Sequence, residues 1–131
     1  MIQGALTSRG EAEVHLLVVA ALPDTGAVKA LRLRFVVDTG FSEYLTFSAD
    51  IVERLGLAQI GITRTTLADG SVHVASVFSA HVLWHGDAWR HIQVLSMEGG
   101  LLAGMALLYG SRLEIDVVDG GSVRISSLVA G

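Results

Sequence analysis

The chain has 131 residues, of which 51% are hydrophobic and 17% charged, and its formal net charge is −4. This composition indicates one globular domain over residues 1–131 with a sizeable hydrophobic core, and it excludes a disordered chain. The sequence has no cysteine, which excludes disulfides and thiolate chemistry, and its lack of a basic cluster argues against nucleic acid or an anionic membrane as a partner.

The first ten residues lack the apolar segment of a signal peptide. The longest uninterrupted apolar run, residues 16–22, is too short to cross a bilayer. We therefore expect a soluble protein and assign it to the cytoplasm. The high hydrophobicity for a chain of this size also indicates that some apolar surface is buried against another subunit.

The first predicted elements are two strands, residues 13–22 and 29–37. The segment Pro23-Asp24-Thr25-Gly26 between them is typical of a hairpin turn, because proline presets φ, aspartate bonds its own backbone and glycine accepts a positive φ. Residues 44–47 form a third predicted strand, since aromatic and β-branched residues favour strands.

The clearest helix signal follows in residues 49–55. Ser48 is a suitable N-cap, Asp50 places a negative charge in the first turn, and Gly56 ends the helix. Local capping residues at both ends therefore predict one short helix directly after the third strand.

The rest of the chain is predicted to consist mainly of strands. Turns at 68–71 and 85–87, a loop at 98–100 and about one helical turn at 105–108 separate them. The predicted strands are residues 62–67, 72–84, 88–95, 112–117 and 122–126. The whole pattern predicts a mostly-β, closed or nearly closed domain with one or two short helices.

The tripeptide Asp-Thr-Gly occurs twice, at residues 24–26 and 38–40. The first copy belongs to the proline turn. The second emerges from the apolar segment Phe35-Val36-Val37 and runs into a returning strand, so its carboxylate is held at a protein-lined surface. A carboxylate is costly there unless hydrogen bonds or chemistry compensate for its desolvation. Asp38 is therefore the candidate functional residue.

Three blocks in this order resemble the retropepsin-like, single-domain bacterial aspartic proteases. They are residues 35–47 (FVVDTGFSEYLTF), residues 66–71 (TLADGS) and residues 101–108 (LLAGMALL). The resemblance extends over roughly residues 13–126 and implies a closed retropepsin-like β-barrel, half of a two-lobed acid protease, that forms a homodimer.

The resemblance also implies roles for individual residues. Asp38 would be the catalytic carboxylate, Thr39 would hydrogen-bond across the two-fold axis, and Gly40 would let the backbone pass close to the carboxylate. Gly104 would pack under this loop. The flap over the substrate and the floor beneath it would be formed by Leu67, Ala68, Asp69, Gly70, Ser71, Leu102, Ala103 and Gly104.

The implied activity is that of an aspartic endopeptidase acting on peptides or proteins without a cofactor. Its mechanism needs two carboxylates that share one proton, and this chain supplies only one. We therefore expect a C2 homodimer with one Asp38 from each subunit and the terminal strands, 112–117 and 122–126, at the interface.

An alternative is a peptide-binding or assembly module with little or no catalysis, because Phe41 replaces a smaller residue and could obstruct the cleft. A third is a small β-barrel domain in which the Asp38 loop is only a turn.

Five histidines raise the question of a metal site. His81 and His85 are four residues apart on a predicted strand, about 13 Å at the strand rise, and cannot share one ion. His91 could pair with one of them across a hairpin, but no third ligand completes a site. We therefore predict no metal.

Two further patterns have a structural interpretation. Trp84 and Trp89 flank the turn at 85–87 and are predicted to pack as a cross-strand aromatic pair. Ser42 and Ser71 have no evident arrangement with histidine and aspartate, which disfavours a serine hydrolase.

Overall fold

The computed structural model of the protein describes residues 1–22, 30–66, 69–86 and 88–128. These residues form ten strands and two short helices, so the fold is mostly β, as predicted. In chain order the elements are β1 (Ile2–Leu6), β2 (Ala12–Val19), β3 (Ala30–Val37), β4 (Leu45–Phe47), α1 (Ala49–Leu55), β5 (Ala58–Thr66), β6 (Val72–Trp84), β7 (Ala88–Ser96), β8 (Leu102–Ala103), α2 (Met105–Leu108), β9 (Ser111–Ile115) and β10 (Ser122–Ser127).

The described strands form one sheet in the order β5-β6-β7-β4-β8-β3-β2-β1-β10-β9. Most neighbours are antiparallel, but β3 pairs with β8 and β4 pairs with β7 in parallel. Strands β2 and β6 are also joined, through Val18 opposite Val82 and Val19 opposite His81. Because β8 lies between β3 and β4, it reaches the chain segment that connects them.

The strand β1 has no counterpart among the predicted elements. It lies between β2 and β10, and Gly4 pairs with Val14 on one side and Val123 on the other. A β-carbon at Gly4 would lie 1.9 Å from the carbonyl oxygen of Glu13. Pairing with two neighbouring strands forms β1, and one of these partners, β10, is remote in sequence.

The helix α1 forms with the predicted bounds and caps. The Ser48 side chain accepts a hydrogen bond from the N–H of Ile51, and Gly56 ends the helix with φ of 67°. The helix buries Ile51, Val52 and Leu55 against the core. Local capping chemistry and one apolar face are therefore sufficient to define this element.

Two hydrophobic clusters hold the described part of the molecule together. The main core includes the fully buried Phe35 and Phe47, whose ring centroids lie 5.9 Å apart. A smaller cluster at the base of the β5–β6 hairpin is formed by Ala75, Val77 and Leu95, with Phe41 and Met97 packed against it. The second cluster connects the hairpin to the segment that follows Asp38.

Several strand bounds and one side-chain pair differ from the predictions: β2, for example, ends at Val19 instead of residue 22. Strand β5 begins at Ala58 instead of residue 62 and contains an irregularity between Gln59 and Gly61, and β9 ends at Ile115 instead of residue 117. The predicted Trp84–Trp89 pair is wrong. The register places Trp84 opposite Ala88 and Trp89 opposite Leu83, so the two indoles lie on opposite faces of the sheet. The predicted turn at 23–26 lies outside the described residues.

Within the described ranges, neither helix has the length and apolar character needed to cross a membrane.

Candidate active site

Asp38 follows β3 directly and is partly buried. Its backbone N–H donates to the carbonyl of Ala103 at 2.9 Å, and its carbonyl accepts from the N–H of Phe41 at 3.1 Å. Its side-chain Oδ1 accepts a hydrogen bond from the N–H of Gly40 at 2.9 Å. The carboxylate is thus held inside a tight turn, three residues after Phe35, the residue of β3 that lies in the core.

Gly40 lies close to the carboxylate. A β-carbon built on Gly40 would lie 3.2 Å from Oδ1 of Asp38, tighter than most contacts of such atoms. Glycine therefore suits the position where the backbone passes the carboxylate, although φ is not in the left-handed region. The neighbouring Thr39 is exposed.

Residues 38–44, here called the aspartate loop, are clamped to the segment 101–106 by backbone hydrogen bonds. The clamp begins in β3 and continues past Gly104, so it fixes both ends of the loop. The bonds run from the N–H of Val36 to the carbonyl of Leu101 (2.9 Å), Asp38 to Ala103 (2.9 Å), Gly104 to Tyr44 (2.8 Å), Met105 to Phe41 (2.7 Å) and Ala106 to Glu43 (3.2 Å).

Gly104 lies directly under the aspartate loop. A β-carbon there would lie 2.3 Å from the carbonyl oxygen of Glu43 and 2.5 Å from Cδ2 of Phe41. No side chain fits in that space without moving the loop backbone. The floor residues Leu102 and Ala103 form β8 and pair with Val36 and Val37. They support the loop from below.

Thr46 is a structural residue of the site that the sequence analysis missed. It is fully buried, and its hydroxyl donates to the carbonyl of Gly100 at 3.1 Å and accepts from the N–H of Leu102 at 2.8 Å. It therefore fixes the start of β8 under the loop. A single hydroxyl between Leu45 and Phe47 was the available signal, because a polar group in a buried strand needs partners.

Arg90 is a second residue that the sequence analysis missed. It sits opposite the buried Val82, and its guanidinium donates to the carbonyls of Leu107 at 3.0 Å and Ala106 at 3.4 Å. The same group lies over the Tyr44 ring at 5.3 Å from the centroid. Arg90 thus ties the end of α2 to the end of the aspartate loop. A charged residue at an inward position of a strand was the signal.

The β5–β6 hairpin lies across from the aspartate loop. A cleft of about 290 Å³, here called the loop cleft, is lined by residues 40–43, residues 63–66 and Leu95. A second pocket of about 330 Å³ adjoins it at Thr65 and includes Ala75 and Met97. An open groove therefore runs along the hairpin and reaches the aspartate loop at Gly40, whereas Asp38 and Thr39 line neither cavity. Leu102, Ala103 and Gly104 line neither cavity.

The tip of this hairpin contains a polar turn. Oδ1 of Asp69 accepts hydrogen bonds from the Ser71 hydroxyl at 2.5 Å and from the Ser71 N–H at 2.9 Å. These bonds, the hydroxyl first, lower the pKa of Asp69 from its ordinary value. Gly70 has φ of 85°. Asp69, Gly70 and Ser71 line neither cavity, and the predicted flap residues Leu67 and Ala68 lie outside the described residues.

Ser71 has partners that the sequence analysis did not foresee. Its hydroxyl also lies 3.2 Å from Nε2 of His73. The serine stands between aspartate and histidine, however, whereas a serine nucleophile needs the histidine in the middle as its base. The arrangement therefore stabilises a turn and does not resemble a catalytic triad.

His81 and His91 form the cross-strand pair that the sequence left open. Their rings stack with centroids 4.7 Å apart, and the Ser79 hydroxyl lies 2.5 Å from Nε2 of His91. Burial, and then the neighbouring His91, lower the pKa of His81. Among the described residues, no group of three or more potential metal-ligating side chains comes together.

One solved structure shares this architecture. The chain is similar to the crystal structure of a retropepsin-like aspartic protease from Rickettsia conorii, with a TM-score of 0.57 and 17% sequence identity over 95% of this chain and 91% of that one. No protein-family model and no curated protein matches the chain. At this identity the likeness concerns the fold, and it confirms the predicted retropepsin-like fold. What the fold does here is inferred from the site.

Proposed function

We propose that the protein is an aspartic endopeptidase whose catalytic carboxylate is Asp38. The observation that carries the proposal is the position of this carboxylate. It ends a strand that leads out of the core, its loop is clamped from below by residues 101–106, and the open groove begins at Gly40 beside it. A simple surface turn would need neither the clamp nor the buried hydroxyl of Thr46 beneath it.

The proposed chemistry uses two carboxylates in contact. Two like charges a few ångströms apart cannot both be ionised at low cost, so the pair holds one proton. The ionised carboxylate takes a proton from a water molecule, which attacks the scissile carbonyl, while the protonated carboxyl donates to the carbonyl oxygen. The second carboxylate is proposed to be the partner subunit's Asp38 in a C2 homodimer.

The surface beside the aspartate loop supports an assembly of this kind. Met105 and Tyr109 lie on and just after α2, and their side chains are 47% and 86% exposed. Leu128 is 57% exposed, and its N–H donates to the carbonyl of Gly110. Met105 belongs to the segment that clamps the loop, Tyr109 and Leu128 lie near the end of α2, and burial of apolar area drives association. Strand β9 also has one unpaired edge in the described sheet, whereas β10 is paired on both sides.

The substrate is proposed to be a peptide in extended conformation, held between the β5–β6 hairpin as a flap and the aspartate loop. Extended peptides gain main-chain hydrogen bonds next to a strand and place alternate side chains in pockets. The two adjoining cavities along the inner side of the hairpin suit that mode. We also propose that the sheet closes into a barrel, which the pairing of β2 with β6 supports.

A matched pair of variants tests the catalytic assignment. Asp38→Asn should abolish cleavage of an unfolded protein across a pH series and leave the fold intact, and Asp24→Asn should leave cleavage unchanged. Cleavage by the wild type should be blocked by a statine-type inhibitor. Tight peptide binding without cleavage at any pH would instead favour a binding or assembly module. Loss of activity in the Asp24 variant alone would show that Asp24, and not Asp38, carries the catalytic function.

A further inference from the structure

Besides Gly40, the lining of the loop cleft consists of the carboxylate of Glu43, Arg64, two apolar side chains (Phe41 and Leu95) and four hydroxyl-bearing residues (Ser42, Thr63, Thr65 and Thr66). Gly40 lines this cleft, and its N–H bonds the Asp38 carboxylate. A substrate held at Asp38 therefore places a neighbouring side chain at the mouth of the cleft. What that side chain can be depends on the groups that point inward.

The charged group on the loop side of the cleft is Glu43. Among the described residues it forms no ion pair, and it is exposed. Its backbone carbonyl is fixed by the N–H of Ala106 at 3.2 Å, so the residue is anchored although its carboxylate is unpaired. An unpaired carboxylate beside a substrate groove attracts a cation.

The charged residue on the hairpin side, Arg64, also lines the cleft, but strand pairing places its side chain on the other face of the hairpin from Thr63 and Thr65. Thr63 pairs with the buried Ala75, so its side chain shares the inner face, and Thr65 lies on the same face two residues later. Arg64 pairs with Val74, which is 64% exposed on the outer face. The hairpin therefore contributes hydroxyl groups to the cleft, and among the described residues Arg64 and Glu43 form no ion pair.

The floor of the cleft suits a long aliphatic stem. Phe41 and Leu95 line it, and both belong to the apolar cluster at the base of the hairpin. Lysine and arginine bury their methylene stems on apolar surface while the charged head group stays among polar partners. Ser42 stands beside Glu43 as a further acceptor for such a head group.

We propose that the loop cleft is a subsite for a lysine or arginine side chain of the substrate and that Glu43 is the residue that selects it. This inference rests on the proposed function, because it defines the substrate of the same site. An acidic side chain in the cleft would be repelled by Glu43. An apolar one would leave the carboxylate desolvated without a partner. A charge-assisted hydrogen bond predicts a preference of about ten-fold or more for the cation.

The test uses a set of eight-residue peptides in which lysine, norleucine or glutamate is placed at each position in turn. The wild type should cleave the lysine peptide about ten-fold faster, in kcat/KM, than the norleucine peptide at one position near the cleaved bond. Glu43→Gln should remove that preference, and Glu43→Lys should reverse it in favour of glutamate. Glu53→Gln, which removes an exposed carboxylate on α1, is the matched control and should keep the preference.

Binding separates this inference from the proposed hydrolysis. Fluorescence polarisation with labelled peptides and the Asp38→Asn variant should show the same lysine preference, lost when Glu43→Gln is added. Cleavage without a lysine preference, or a preference that survives Glu43→Gln, would overturn the subsite and leave the protease intact. Lysine-selective binding that depends on Glu43, without cleavage by the wild type, would support the subsite and overturn the hydrolytic function.

Discussion

The Gly104→Ala substitution probes the contact on which the candidate site depends. The added β-carbon would lie 2.3 Å from the carbonyl oxygen of Glu43, 2.6 Å from that of Phe41 and 2.5 Å from Cδ2 of the Phe41 ring. Two of these atoms are backbone, so a rotamer change cannot relieve the clash. The aspartate loop must move away by about 1 Å to restore an ordinary contact distance.

The expected cost combines two effects. Overpacking a well-packed position costs about 1–3 kcal/mol. The same movement lengthens the hydrogen bonds from Met105 to Phe41 and from Ala106 to Glu43, which contribute about 1 kcal/mol each. The free energy of unfolding should therefore fall by about 3 kcal/mol. Peptide cleavage should fall further, by about 100-fold, because a 1 Å displacement of a catalytic group has an effect of that order.

Urea unfolding followed by circular dichroism measures the first quantity, and a peptide cleavage assay measures the second. Gly61→Ala is the matched control, because a β-carbon at Gly61 has no atom within 4 Å and φ is not in the left-handed region. Its free energy of unfolding should stay within about 0.5 kcal/mol of the wild type. Equal free energies of unfolding for Gly104→Ala and Gly61→Ala would show that the aspartate loop does not pack closely on Gly104 and would contradict the proposed site geometry.

Three further predictions concern Thr46 and Arg90 beside the site and Asp116 just after β9. Thr46→Val leaves the N–H of Leu102 without its acceptor and should lower the free energy of unfolding by about 2 kcal/mol in a urea titration; a change below about 0.5 kcal/mol would contradict the assigned role. Arg90→Met removes the donors at the end of α2 and should cost about 1 kcal/mol in the same titration, with partial recovery in Arg90→Lys; equal stability of all three proteins would refute this. The hydrogen bond from the Ser122 hydroxyl, and then Arg124, lower the pKa of Asp116 in the folded protein. The contribution of this carboxylate to the free energy of unfolding is therefore fully present above the ordinary aspartate pKa, near pH 4, and is lost as the pH falls through the lowered pKa. NMR titration should show that Ser122→Ala raises the pKa of Asp116, and unchanged titration would count against the assigned cause.

The sequence correctly predicts the elements that are determined by interactions between residues close together in the chain. The caps Ser48 and Gly56 are sufficient to place α1, and the alternation and turn residues of β6 and β7 place the second half of the sheet. The aspartate loop was also identified, because a carboxylate directly after an apolar strand is unusual. In each case the deciding interactions lie within a few residues of one another.

The parts that sequence did not predict depend on contacts between distant segments. Strand β1 exists because the distant β10 pairs with it on one side, while the adjacent β2 pairs with it on the other. The stabilising roles of Thr46 and Arg90 depend on hydrogen-bond partners 16 to 56 residues away. The Trp84–Trp89 pairing failed for a related reason, since a shift of one residue in the hairpin register moves a side chain to the opposite face. Register and long-range hydrogen bonds are set by the assembled sheet.

Each chain is proposed to carry half of a shared active centre, and mixing wild-type protein with Asp38→Asn tests this most directly. Subunits would be exchanged by dilution and re-concentration with a nine-fold excess of the variant, and cleavage would be expressed per wild-type chain. If each site needs one Asp38 from each subunit, random pairing should reduce that activity to roughly one tenth. Activity per wild-type chain that does not change with added variant would show that a single subunit is sufficient and would contradict the shared site.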